Sequence, residues 1–359
     1  YVPKAHYMSG LHRAAWPALG AAILFGASTP FAKQLIGAGF ATASPFLLAG
    51  LLYLGSGLGL TLVRLVRDKG WQSPGMPRQE WPWLLGAIAF GGVLGPLLLM
   101  VGLAHTTAAT ASLFLNLESV LTAVLAWMVF RENTDRRIVL GMALIVAGGA
   151  VLAWPTGETS VTGIGPLALA GACLAWAIDN NLTRKVSASD ALFIAGSKGL
   201  VAGSVNTALG LALGAAWPTA SLLSSAMLIG FFGYGLSLVL FVLALRGLGT
   251  ARTGAYFSTA PFVGAAISIA VFGEPTSSIF WAATALMALG VWLHLTEHHS
   301  HEHEHVELNH EHGHRHDEHH QHEHEFKWDG QEPHTHPHQH VKLTHRHMHF
   351  PDVHHRHAH

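Results

Sequence analysis

The sequence predicts an all-α integral membrane protein: ten transmembrane helices arranged as two inverted five-helix repeats, followed by a disordered His-rich tail. Three observations predict it. Half of the residues are hydrophobic and only 11% are charged, and the apolar residues fall in runs of about 20, the length that spans a bilayer. Positive charge alternates from one connection to the next. Of the 28 histidines, 24 lie in the last 62 residues.

The spans are predicted over 14–36, 43–66, 81–103, 107–130, 137–154, 164–184, 189–214, 220–245, 250–272 and 277–296. Breakers mark the connections, as in Trp71-Gln-Ser-Pro-Gly75 and Trp154-Pro-Thr-Gly157. Arg64, Arg67, Lys69 and Arg78 fall in the second loop, Arg131, Arg136 and Arg137 in the fourth. Arg184 and Lys185 mark the sixth loop, Arg246 and Arg252 the eighth. The odd loops carry none, apart from Lys33 at the outer end of the first helix. With Lys4 and Arg13 ahead of the first span, the positive-inside rule places both termini in the cytoplasm of a multi-pass plasma (inner) membrane protein. No cleavable signal peptide is expected, because the first apolar run leads straight into further spans. Met8 is a candidate start, which would leave residues 1–7 upstream.

The two halves resemble each other. Phe25–Lys33 lies over Trp176–Arg184 at a shift of 151, and Ala108–Glu132 over Thr250–Glu274 at a shift of 142. Both longer segments end in an aromatic-x-Glu cluster, Phe130-Arg-Glu132 and Phe272-Gly-Glu274. Five spans per half is an odd number, so the second half sits upside down relative to the first. That is the architecture of alternating-access carriers, with the site near the midplane between repeats. The expected organisation is a cytoplasmic N-terminus over 1–13, repeats over 14–154 and 164–296, and a cytoplasmic tail over 297–359.

The segment from Gly102 to Glu132 resembles the fourth-helix signature of EamA-type carriers of the drug/metabolite transporter superfamily. The usual pattern runs small-Ser-Leu, then Leu-x-Pro-Val, and ends in Gly-Glu. Here Ser119 stands for the Pro and Arg131 for the Gly, whereas the second copy keeps both as Ala260-Pro261-Phe262 and Gly273-Glu274. The resemblance covers about residues 14–296. It implies ten helices and, usually, export of a small organic solute.

Ionisable residues at membrane depth are costly and therefore candidates for function. Glu118 lies eleven residues into the fourth span, about 16 Å along the helix axis. Lys198 lies at similar depth in the seventh. Glu118 is expected to face the central cavity and exchange a proton during transport; the structural alternative is a permanently protonated or Lys198-paired Glu that only ties helices together. Asp179-Asn180-Asn181 lies opposite Ser28-Thr29-Pro30 in the repeat, and both are candidates for a solute site or gate. Pro30 deprives its helix of one N–H and frees a carbonyl near Gly26; interhelical hydrogen bonding is the plainer use of the Asn pair. Phe231, Phe232 and Tyr234 either line an organic cavity or pack, and the Gly-x-x-x-Gly pairs at 55, 91, 199 and 210 are expected to bring helices close. Among the spans, no His or Asp pair at i, i+4 spacing offers a tight metal site, and the single Cys173 offers neither disulfide nor thiolate cage.

The tail repeats His-x-His: His301, His303 and His305; His312, His314 and His316; His334, His336, His338 and His340; His345, His347 and His349. Alternate residues of an extended chain share a face, so each motif can offer two imidazoles to Zn, Ni, Co or Cu. Residues 298–325 are expected to be disordered, while Phe326, Trp328 and Phe350 suggest that 326–359 compacts around metal. Residues 298–359 carry 5 Lys+Arg against 11 Asp+Glu, leaving them at −6 and residues 1–297 at +5, which gives the net −1. A metal buffer or sensor, a pH sensor and an inert biased tail remain open. No P-loop is present to use ATP, so the expected function is gradient-driven efflux of a small organic solute, linked to divalent metal through the tail. Export of the metal or its chelate is the alternative, and a non-transporting sensor the third. Lipid, solute and divalent metal are the expected partners, with no nucleic acid, no enzymatic activity, and a homodimer as an allowed assembly.

Overall fold

The computed structural model describes residues 4–40, 45–130, 136–153, 163–296, 300–305, 308–314, 334–340 and 343–348. Arg131, Glu132, Trp154, His316, Phe326, Trp328, His349 and Phe350 lie outside the described residues. The helices are α1 (Lys4–Leu35), α2 (Pro45–Arg67), α3 (Trp81–Ala87), α4 (Gly95–His105), α5 (Ala108–Phe114), α6 (Asn116–Phe130) and α7 (Arg136–Ala153). Then come α8 (Ile164–Val186), α9 (Ala191–Ala212), α10 (Ala220–Gly230), α11 (Ser237–Phe257), α12 (Ala260–Ala270) and α13 (Ser278–Leu295). Side chains of Thr107, Asp190, Thr219 and Ser277 cap α5, α9, α10 and α13 by accepting from otherwise unpaired backbone N–H groups.

Eight helical segments among the described residues are long and apolar enough to cross a membrane. Two of the ten expected spans depart from that measure. The sixth, α8, is a 23-residue helix that carries Asp179, Asn180, Asn181, Arg184 and Lys185. The ninth is split around Ser258 and Thr259. The connection expected between the eighth and ninth spans falls within the residues assigned to α11. A straight helix would hold Phe241 and Phe257 about 24 Å apart, yet their ring centroids are 4.9 Å apart. The chain therefore reverses within α11, and ten crossings result.

Irregular backbone recurs at matching places in the two halves. The third crossing widens to a π-helix over Ile88–Leu94 and the eighth over Phe231–Leu236. The fourth breaks at Leu115 and the ninth at Ser258–Thr259, positions related by the shift of 142 to within a residue. Inside a bilayer such backbone survives only where protein or a cavity satisfies it. The freed Gly91 carbonyl accepts from Tyr53 Oη at 2.8 Å and Trp176 Nε1 at 3.0 Å.

Packing crosses between the repeats. α1 packs on α11 and α12, while α8 packs on α3, α4 and α6. α2 lies backbone to backbone on α9: a methyl group at Gly199 would fall 2.4 Å from Gly57 N, and one at Gly203 2.5 Å from Leu54 N. The expected Gly-x-x-x-Gly contacts are therefore packing surfaces, chiefly between the second and seventh spans.

The His-rich tail is described over four short segments. Among its described residues, Ser300–His305 pairs antiparallel with Leu343–Met348, and Leu308–His314 with His334–His340. Alternating sequences of this kind have strand periodicity, and pairing satisfies backbone groups that composition alone leaves uncommitted. The register sets His301 opposite His347, His303 opposite His345, His310 opposite His338, His312 opposite His336 and His314 opposite His334.

Candidate functional site

Both repeats contribute to one cavity of about 60 Å³ at membrane depth. Its walls come from α1 (Phe25), α2 (Tyr53), α6 (Glu118), α8 (Trp176, Asp179, Asn180), α9 (Lys198), the eighth-span π-helix (Gly233, Tyr234) and α11 (Ser237, Leu238, Phe241, Phe257).

Glu118 is placed there by the break in the fourth span. Leu115 interrupts the helix, Glu118 N donates to Leu115 O at 3.1 Å, and the chain restarts with Glu118 in the first turn of α6. Helix N-termini favour anionic side chains. Glu118 is 8% exposed, and its Oε1 accepts from Asn180 Nδ2 at 2.8 Å. Asn180 also reaches Thr122 Oγ1 at 3.4 Å.

Lys198 pairs with Asp179, not with Glu118. Lys198 Nζ donates to both Asp179 carboxylate oxygens at 2.6 and 2.7 Å, with Thr183 Oγ1 at 3.4 Å. Thr183 Oγ1 in turn donates to Asp179 Oδ1 at 2.8 Å. Lys198 is 2% exposed, and a buried ammonium needs this degree of satisfaction.

Six aromatic rings form a connected wall. Phe25 meets Trp176 at 5.6 Å, Tyr234 at 5.9 Å and Phe257 at 5.3 Å; Tyr53 meets Tyr234 at 5.3 Å. Phe25 and Trp176 occupy matching repeat positions, so this contact lies close to the pseudo-two-fold axis. The Tyr234 hydroxyl is buried, with the Ser28 side chain beside it.

The sequence candidates separate accordingly. Glu118, Lys198, Asp179 and Asn180 come together at the cavity. Asn181 does not line it; its amide donates to Ala177 O and Thr122 O. Ser28, Thr29 and Pro30 do not line it either. Ser28 Oγ donates to Phe25 O at 2.6 Å, and its Cβ faces Gly233, where an added methyl would fall 2.4 Å away. Near Gly26, α12 approaches so closely that a methyl there would meet Ala260 O, so packing occupies the region that Pro30 disturbs. Of the expected aromatics, Tyr234 lines the cavity, Phe231 packs over Gly59 and Phe232 is exposed. Tyr53, Phe241 and Phe257 carried no sequence signal. Phe25 and Trp176 did, since each leads its copy of the aligned repeat segment.

Each end of the bundle is tied. At the arginine-bearing end, Asp190 accepts from Arg64 Nε at 2.9 Å and Arg67 Nη2 at 2.6 Å. Burial alone would raise the Asp190 carboxyl, but hydrogen bonds from Arg67 and Arg64 outweigh it and hold the pKa at about 2. Arg64 also lies over the Trp71 and Phe193 rings, 5.4 Å from each centroid. At the opposite end, Glu274 accepts from Ala108 N at 3.0 Å and Ala109 N at 2.8 Å, closing the start of α5. Among the described residues no group of three or more His, Cys, Asp or Glu is placed to hold a metal ion.

Inverted repeats, broken helices at mid-depth and a polar cavity between them define a membrane transporter. The family comparison names the kind: residues 12–154 and 163–296 each match the EamA-like transporter family, and the chain belongs to that family. It is 28% identical over 289 residues to an uncharacterized transporter of Methanothermobacter thermautotrophicus, covering 76% of this chain and 83% of that one. A probable 4-amino-4-deoxy-L-arabinose-phosphoundecaprenol flippase subunit of Pseudomonas aeruginosa is 38% identical over 115 residues, 31% of this chain and 96% of the relative. A crystal structure matches with a TM-score of 0.60 at 21% identity, covering 78% of this chain and 95% of that one; this likeness concerns the fold.

Proposed function

We propose that the protein is a secondary carrier that exports a small organic solute through the cavity between its repeats. Glu118 exchanges a proton as access alternates, and both termini face the cytoplasm across the inner membrane. One observation carries this reading: a buried carboxylate held by a single neutral donor at the start of a broken helix, inside a cavity built by both halves. Exchange needs a group whose charge can be relieved by either a proton or a ligand. Asp179 and Lys198 hold each other and supply the polar floor. Helices α1 and α8 pack mainly on the opposite repeat, which supports a rocking motion of repeat against repeat. The flippase-subunit relative supports movement of a solute across a membrane without specifying this chain's own.

The test compares metabolites released by cells expressing the protein or its Glu118→Gln variant at equal membrane abundance. At least one released solute should fall to the vector level in the variant. Identical release from wild type, variant and vector would refute the carrier reading.

For the tail we propose a cytoplasmic binder of divalent Zn, Ni, Co or Cu that links transport to metal. The His-x-His spacing and the facing His positions in the strand register support it, because facing pairs two residues apart provide four candidate ligands per ion. Equilibrium dialysis of the full chain against the chain ended after Leu295 tests it. Equal metal uptake by both would remove the tail from the function.

A further inference from the structure

We infer that the solute is an organic cation, an amine-bearing molecule with an unsaturated or aromatic body, recognised by Glu118 and the aromatic wall together. The inference rests on the carrier reading and adds the substrate class.

The charges in the cavity determine the sign. Three ionisable side chains of Asp, Glu or Lys line it: Glu118, Asp179 and Lys198. Asp179 and Lys198 neutralise each other through two short contacts, and Thr183 stands beside the remaining ammonium donor. Lys198 is therefore committed, and no other Lys or Arg among the described residues lines the cavity. An anionic solute would find no free donor of positive charge. Glu118, by contrast, receives one hydrogen bond from an uncharged amide. Ion-paired, the cavity is negative by one unit when Glu118 is ionised, and a cation is the ligand that compensates it.

The surrounding surface points the same way. Phe25, Tyr53, Trp176, Tyr234, Phe241 and Phe257 present ring systems to the cavity. Ring faces carry negative electrostatic potential and attract ammonium groups, most strongly when desolvated. They also stack on flat ligand bodies. A neutral apolar solute would leave the ionised Glu118 carboxylate uncompensated inside the cavity. A cavity meant for a small inorganic cation would be walled by oxygen ligands on every side, whereas six of the thirteen lining residues here carry aromatic rings and the Asp179 oxygens are held by Lys198. The Tyr234 hydroxyl in the cavity wall supplies an acceptor or donor for a polar substituent. At about 60 Å³ the cavity is well below the several hundred Å³ of a ligand-filled pocket, so loading requires the repeats to part.

The probes are benzylamine, benzyl alcohol and benzoate, which share one ring and differ in charge. Binding to the detergent-purified full chain is measured by calorimetry, and counterflow of each probe by reconstituted vesicles. Benzylamine should bind at least about tenfold more tightly than either other probe. Glu118→Gln should erase that preference while leaving thermal stability near wild type. Phe257→Leu is a second, independent variant: it should weaken benzylamine by roughly two- to fivefold, the worth of one cation–π contact, and leave benzyl alcohol less affected. Benzoate or benzyl alcohol binding as tightly as benzylamine would overturn the cation assignment. So would failure of all three to bind, or an amine preference that survives Glu118→Gln. Amine binding without counterflow would instead sink the carrier reading and leave the recognition standing, so the two failures are distinguishable.

Discussion

The Lys198–Asp179 pair offers a sharp test of how this membrane interior is organised. The contacts are 2.6 and 2.7 Å, and the side chains are 2% and 9% exposed. At an effective dielectric constant of about 20, opposite charges at that separation attract by about 6 kcal/mol. Desolvation costs several kcal/mol per ion and offsets most of this. The pair as a whole should therefore contribute little net stability, whereas either ion left alone is expensive. Asp179→Asn strands the ammonium with Thr183, and Lys198→Met strands the carboxylate. Each single change should destabilise by about 3–5 kcal/mol, while Asp179→Asn with Lys198→Met together should cost less than either alone. The assay is thermal unfolding of the purified protein followed by intrinsic fluorescence, with four proteins completing a double-mutant cycle. If the single changes are each within about 1 kcal/mol of wild type, or if the double change costs the sum of both, the pair is not the buried, mutually dependent unit described here.

Other outcomes follow from single contacts. Gly199→Leu inserts a side chain where even a methyl meets the Gly57 backbone at 2.4 Å; overpacking of about 1–3 kcal/mol or more is expected, read as a lowered unfolding temperature, and an unchanged value would mean α2 and α9 are not in backbone contact. Glu274→Ala removes acceptors from Ala108 N and Ala109 N and should cost about 1–2 kcal/mol, the range of a strong helix cap. Glu274→Gln should recover part of that loss. Asp190 has a depressed pKa of about 2, so its ion pair stabilises the fold above the unfolded value and is lost as pH falls from about 4 toward 2. Wild type should lose stability across that window relative to Asp190→Asn, which keeps the cap on Leu192 N. Solvent screening leaves roughly 1 kcal/mol for the effect, and parallel acid-unfolding curves would contradict it.

Much of the architecture was legible along the chain because a bilayer demands long apolar helices, and arginines between them record which loops share a side. The internal shifts of 151 and 142 located the repeats, and the later π-helices and broken helices fall where those shifts place them. Glu118 stood out for a similar reason: a carboxylate in an apolar run has few structural explanations. Partner choice was not legible. Lys198 and Asp179 are 19 residues apart on different helices, and nothing local distinguishes that pairing from Lys198 with Glu118. Ser28, Thr29 and Pro30 matched Asp179, Asn180 and Asn181 in sequence, yet packing of α12 and Gly233 covers the first set while the second partly faces the cavity.

Composition, periodicity and charge asymmetry by themselves determined that this chain crosses the membrane ten times as two opposed halves and ends in a His-rich segment, because those properties act through single helices and the surrounding lipid. Only the tertiary structure decided which polar groups neutralise each other, which carboxylate has an uncharged amide as its hydrogen-bond donor, and which six rings share its cavity. Those outcomes depend on distances between segments far apart in the chain, and the bilayer imposes no pattern on the sequence that records them.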